Sequence, residues 1–109
     1  MMEPIFKYTR ADAIRDGVLV DVTSVAKECG FALPVAFTSA VFEGCVRPSE
    51  PGSVGRMMNV LEAMKAASVA LTMASERVDF AVDCTELYAL CHPGDDWERV
   101  ITVMEEGED

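Results

Sequence analysis

The 109-residue chain holds one histidine, one tryptophan, and nine lysines and arginines against nineteen aspartates and glutamates. Each scarcity excludes something. The lone histidine, His92, precedes Pro93 in turn-like sequence and has no second imidazole for a metal site or an acid–base pair. The shortage of basic side chains leaves a formal net charge of −10. Ordinary binding to nucleic acid or to an anionic membrane is thereby disfavoured, because both surfaces would repel the chain. No run of about eighteen apolar residues occurs, so no transmembrane helix is expected. Met1, Met2, Glu3 and Pro4 lack the basic and apolar regions of a signal peptide, and a cytoplasmic protein is expected.

Other motifs are absent too. Cys29, Cys45, Cys84 and Cys91 are separated by 16, 39 and 7 residues, with no Cys-x-x-Cys pair. They read as reduced thiols in a reducing compartment, and Cys84, Cys91 and His92 lack zinc-ligand spacing. Cys91 and His92 are strand neighbours pointing to opposite faces, which argues against a cysteine–histidine catalytic pair. Gly52-Ser-Val-Gly55 has neither the preceding strand nor the lysine of a phosphate loop. Asp95-Asp96-Trp97-Glu98 lacks calcium-loop spacing. The reading is a non-enzyme with no cofactor and no metal.

What is present is core material and asymmetric acid. Half the residues are hydrophobic, enough for one packed domain spanning 1–109. Residues 1–75 carry eight acidic and seven basic side chains, a net of −1; residues 76–109 carry eleven and two, a net of −9. A face so charged attracts a basic partner, though a merely solvated surface accounts for the charge as well.

Thr9 with Asp12 predicts a short capped helix ended by Gly17. Val18–Val20 predicts a short strand, and a second helix is capped by Asp21 or Thr23 and ended by Gly30. Pro34 predicts the first turn of a third helix carrying Val35, Phe37, Val41, Phe42 and Val46. Ser53 precedes the longest helix, about 54–74, whose core stripe is Met57, Val60, Leu61, Met64, Ser68 and Leu71. From Val78 the period becomes two: Val78, Phe80 and Val82 point one way, Asp79, Ala81 and Asp83 the other. Strands at 87–91 and 99–104 flank turn chemistry at His92-Pro-Gly-Asp-Asp96, and Glu105 to Asp109 reads as a frayed end. The expected fold is α+β, with N-terminal helices on one face of a C-terminal three- to four-stranded antiparallel sheet. The strand at 18–20 joins an edge, and the other face looks at water.

Acidic residues then become the candidate site: Glu76, Asp79, Asp83, Glu86, Asp95, Asp96 and Glu98, forming one negative surface. Trp97 stands among them, either as an apolar interface anchor or folded back over Tyr88.

The segment Tyr8 to Val22, with Ala26–Phe31 and Pro34–Phe42, resembles a family of small acidic proteins carried by bacterial plasmids, phages and integrated elements. His92–Asp96, Val100–Met104 and Gly107–Asp109 resemble the ending of the same family; residues 47–90 depart from it. The resemblance supplies no activity and no catalytic residues. In size and charge the chain is similar to anti-CRISPR and anti-restriction proteins that mimic DNA. That similarity implies a monomeric inhibitor of a host defence complex, with a type I CRISPR surveillance complex as the favoured target. Its basic DNA-binding subunit would be the partner, in the cytoplasm of the bacterial host. The alternative is a non-catalytic partner of a plasmid or phage replication or transfer component, docking through an apolar helix face.

Overall fold

The computed structural model describes residues 8–69, 77–83 and 85–108. Helix α1 (Arg10–Arg15) opens on a full capping box. The Asp12 amide donates to the Thr9 hydroxyl, and the Thr9 amide donates to the Asp12 carboxylate. Gly17, at φ 81°, ends the helix, and Val18 donates to the Ala13 carbonyl, leading straight into strand β1 (Leu19–Asp21). The Asp21 carboxylate accepts from the Thr23 amide at the start of helix α2 (Thr23–Glu28), which Gly30 terminates at φ 100°. The Thr9–Asp12 cap and the two glycine stops act as the sequence predicts; at α2 the N-cap position falls to Val22, which has no polar side chain, and Asp21 bonds the first helical amide from one residue earlier.

The third predicted helix is not a helix at its start. Val35–Thr38 is strand β2, followed by a short helix α3 (Ser39–Val41) and a π-helical turn (Phe42–Val46). Val35, Ala36 and Phe37 are all fully buried. A strand buried on both faces shows no alternation, so its short apolar run looks the same as a buried helical turn.

Strand β2 also changes the sheet. Helix α4 (Ser53–Val69) leads towards strands β3 (Arg77–Val82), β4 (Thr85–Pro93) and β5 (Arg99–Glu105), which form the expected antiparallel meander. β2 pairs parallel to β5, and β1 pairs antiparallel to β2 at the edge. The α+β class therefore holds, but the sheet is five-stranded and mixed, in the order β1-β2-β5-β4-β3. The predicted extension of the long helix over 70–74 lies outside the described residues.

Two layers flank this sheet. Ala26 of α2, Val41 of α3, Cys45 and Val46 of the π-turn, and Val60, Leu61 and Met64 of α4 pack on Val35, Phe37, Leu87, Ala89 and Val103. The opposite face is not open to water throughout. Ala36, Tyr88, Val100 and Thr102 point there by register and are buried. Helix α1 crosses that side, tied to β1 at its end and to the β4–β5 turn at its start. Helices α2, α3 and α4 thus share one face, and α1 lies outside their core, against β1 and the β4–β5 turn.

The chain after β5 is anchored rather than frayed up to Glu108. The Thr38 hydroxyl and the Glu105 amide both donate to Glu108 Oε2, at 2.9 and 2.7 Å. The Tyr88 hydroxyl donates to the Glu108 carbonyl at 2.8 Å. Asp109 lies outside the described residues.

Candidate partner-binding surface

The predicted acidic residues fall at opposite ends of the meander. Asp83 forms the β3–β4 turn in a left-handed conformation, φ 51°, and Glu86 stands one step into β4. Glu106 joins them, its amide donating to the Glu86 carbonyl at 2.9 Å. Asp95, Asp96 and Glu98 lie on the β4–β5 turn at the other end. From Glu86 to Pro93 the strand covers seven steps, roughly 23 Å at about 3.3 Å each. The negative surface is therefore two patches joined by the sheet, and not one cluster. Glu76 lies outside the described residues.

Asp79 sits between the patches and is largely spent on its neighbour. Arg77 bridges Asp79 at 2.9 Å and Glu106 at 3.1 Å. The same guanidinium lies 4.0 Å above the centre of the Tyr88 ring. Arg77, and not Trp97, covers Tyr88. By contrast Asp83, Glu86 and Asp96 are exposed and have no cation within ion-pair distance among the described residues.

Asp95 has a structural task. Its two carboxylate oxygens accept from the backbone amides of Arg10 and Ala11, at 2.8 and 3.0 Å. These are first-turn amides of α1 that no helical carbonyl can reach. A carboxylate more than eighty residues away thus finishes the cap that Thr9 begins. The amides of Arg10 and then Ala11 hold the Asp95 carboxyl below the usual carboxylate range. Asp12 is lowered too, first by the backbone and then by the hydroxyl of Thr9.

A depressed folded-state pKa contributes stability that is complete above the unfolded value and lost as pH falls through the folded one. Both carboxylates should therefore make the protein lose stability on acidification below pH 3.8, their ordinary value. The measurement is a set of thermal melts between about pH 5 and pH 2.5. Asp95→Asn keeps one acceptor and removes one titration, so its melting temperature should fall less steeply across that window. An unchanged slope would sever Asp95 from the acid response.

The β4–β5 turn itself is tightly built. Gly94 donates to the Glu98 carbonyl at 2.6 Å and Trp97 donates to the Gly94 carbonyl at 3.2 Å. Glu98 folds inward and accepts from the Asp96 amide at 3.0 Å. A Cβ on residue 94 would lie 2.7 Å from that carboxylate, so a side chain there would displace the Glu98 carboxylate from this turn. Trp97, at φ 67°, projects from the tip with 83 % of its surface exposed.

The remaining chemistry-bearing side chains are committed to packing. His92 Nδ1 lies 3.0 Å from the Pro93 carbonyl and Nε2 lies 2.7 Å from the Thr102 hydroxyl. In the neutral ring Nδ1 donates and Nε2 accepts, so both nitrogens are used. Cys91 faces the other way, within 3.2 Å of the Arg99 guanidinium. Burial raises the thiol pKa of Cys29 and Cys45, which disfavours the reactive thiolate. Among the described residues no three histidine, cysteine or carboxylate groups converge as a metal site.

Sequence reasoning missed two participants. Arg77 neutralises the centre of the acidic sheet, although an arginine two residues before an aspartate on one strand face is a readable sign of such a pair. Arg10 lies close enough to Asp95 to favour its charged form, with Nε and Nη2 buried and unpaired among the described residues. Nothing local to Arg10 signals that placement. Compared with protein-family models, curated proteins and solved structures, the chain has no match.

Proposed function

We propose that the chain acts by binding a basic, nucleic-acid-handling protein and denying it its substrate, as an inhibitor of a host defence complex. The observation that carries this reading is the set Asp83, Glu86 and Asp96: exposed carboxylates, unpaired among the described residues, fixed on turns and strand of a rigid meander. They belong to the stretch with a net charge of −9. The two patches, roughly 23 Å apart at about 3.3 Å per strand residue, present negative charge at two separate points on one rigid sheet, where a DNA backbone would also present repeated charge. A DNA channel lined by arginine and lysine would meet both at once. The resemblance to proteins of mobile elements favours a type I CRISPR surveillance complex as the target.

Phage plating on hosts with defined active defences, with and without the protein expressed, tests the reading. The informative variant is Asp83→Asn, Glu86→Gln and Asp96→Asn together, because it leaves the structural Asp95 and the paired Asp79 intact. The wild type should restore plating in one defended host. The folded variant should lose most of that effect. Binding to the purified target should weaken steeply with added salt, as charge-steered association does. Plating unchanged in every restriction and type I CRISPR host would end the proposal. Protection that survives neutralisation would keep the inhibitor and discard the acidic mechanism.

A further inference from the structure

Trp97 occupies a backbone position suited to glycine. A φ of 67° is uncommon outside glycine, asparagine and aspartate, and costs an aromatic residue conformational energy. The tip gains no burial in return, since 83 % of the side chain is in solvent. It is the most exposed of the large hydrophobic residues described, and it stands between two carboxylate residues, Asp96 and Glu98. An indole is the best aromatic face for a cation, and a guanidinium can stack on it while pairing with a neighbouring carboxylate. Lysine offers only a point charge to the same site.

From this geometry we infer that the β4–β5 tip is a receptor for an arginine side chain on the partner protein. The partner's guanidinium stacks on the Trp97 indole and pairs with Asp96, whose carboxylate is free of any cation among the described residues. The inference rests on the proposed acidic docking and sharpens it. A partner that reads DNA with arginines is engaged at this tip, and one that relies on lysines is bound by charge alone.

Because Trp97 is the chain's single tryptophan, its fluorescence reports the tip directly. The probes are dodeca-arginine and dodeca-lysine peptides, titrated into the wild type and into Trp97→Gly at low and moderate salt. The arginine peptide should bind the wild type about fivefold tighter than the lysine peptide and shift or quench the indole emission. In Trp97→Gly, followed by a label elsewhere, the preference should shrink below about twofold while salt-sensitive binding of both peptides persists. The same variant should melt higher by about 4 °C or more, because glycine relieves the strained position. A melting point that falls would instead give Trp97 a structural role and overturn the inference. So would equal binding of the two peptides by the wild type, or a silent indole. Binding of neither peptide at low salt would overturn the acidic docking itself, and the two failures are therefore separable.

Discussion

Phe37→Ala is expected to cost about 3–5 kcal/mol of stability, the range for truncating a fully buried phenylalanine. Phe37 lies on an interior strand of the sheet, paired to the edge strand β1 on one side and to the central strand β5 on the other. It is fully buried against the helices of the main core. Phe42, five residues on in the π-turn, is only partly buried, and its truncation should cost less than half as much. A companion change separates strand from helix. Ala36→Pro in the first turn of a helix would be tolerated, since amides there have no partner. In a strand with neighbours on both sides it removes a ladder bond and should abolish folding. Urea unfolding checks both, with the slope of the transition showing whether cooperativity survives. A loss of under about 1 kcal/mol for Phe37→Ala would remove β2 from the sheet interior.

Arg56→Ala should be the most damaging change at a polar residue, costing about 3 kcal/mol. Its guanidinium gathers the segment between the π-turn and α4. Nε donates to the Val46 carbonyl at 2.7 Å, Nη1 to Pro51 at 2.9 Å, and Nη2 to Arg47 and Glu50 at 3.0 and 3.1 Å. One of these carbonyls, that of Val46, ends the π-turn, where the helical ladder stops, while that of Arg47 also accepts from the Glu50 amide at 3.0 Å. Arg47 itself turns the chain at φ 52°, and Gly52 does so again at φ 87° beside the guanidinium. Some of the lost bonds are exposed enough for water to replace them, which keeps the expected cost well below four full charged bonds. Arg56→Lys should recover little, because one ammonium cannot span four carbonyls set out for a planar fork. Denaturant midpoints give the cost, and amide exchange over residues 47–53 shows whether the loosening is local. A change of under about 1 kcal/mol would mean that the proline- and glycine-rich loop holds itself.

How much of this was readable in the sequence varies with the range of the interaction. Thr9 and Asp12, Gly17, Gly30, and the alternation of Val78, Phe80 and Val82 act through neighbours a few residues away, and each produced the element expected. Residues 35–38 failed because burial on two faces erases the period on which strand and helix are told apart. Glu108 was invisible as an anchor because its partner Thr38 lies seventy residues earlier. The acidic residues showed the same divide. Their number and their location in the last third were plain from composition. Asp95 looked like any other turn carboxylate, and only the fold turns it into the cap of a distant helix. Sequence left Trp97 open between burial and exposure; the tight Gly94–Glu98 loop holds it outward.

The parallel pairing of β2 with β5 has a consequence for how the chain comes to exist. It brings Val35–Phe37 beside Ile101–Val103, each residue paired with one 66 positions later in the chain. Closing a loop of that length costs conformational entropy before any contact repays it, which places the step late and makes it slow. On the ribosome, the apolar strand β2 emerges well before β5 and waits with a bare edge. Its permanent neighbour β5 is made only 66 positions later. The β3–β4–β5 hairpins can assemble among themselves within moments of synthesis. The N-terminal third depends on them for its shelter, so that the acidic meander, the surface proposed to meet a partner, is also the platform on which the rest is built.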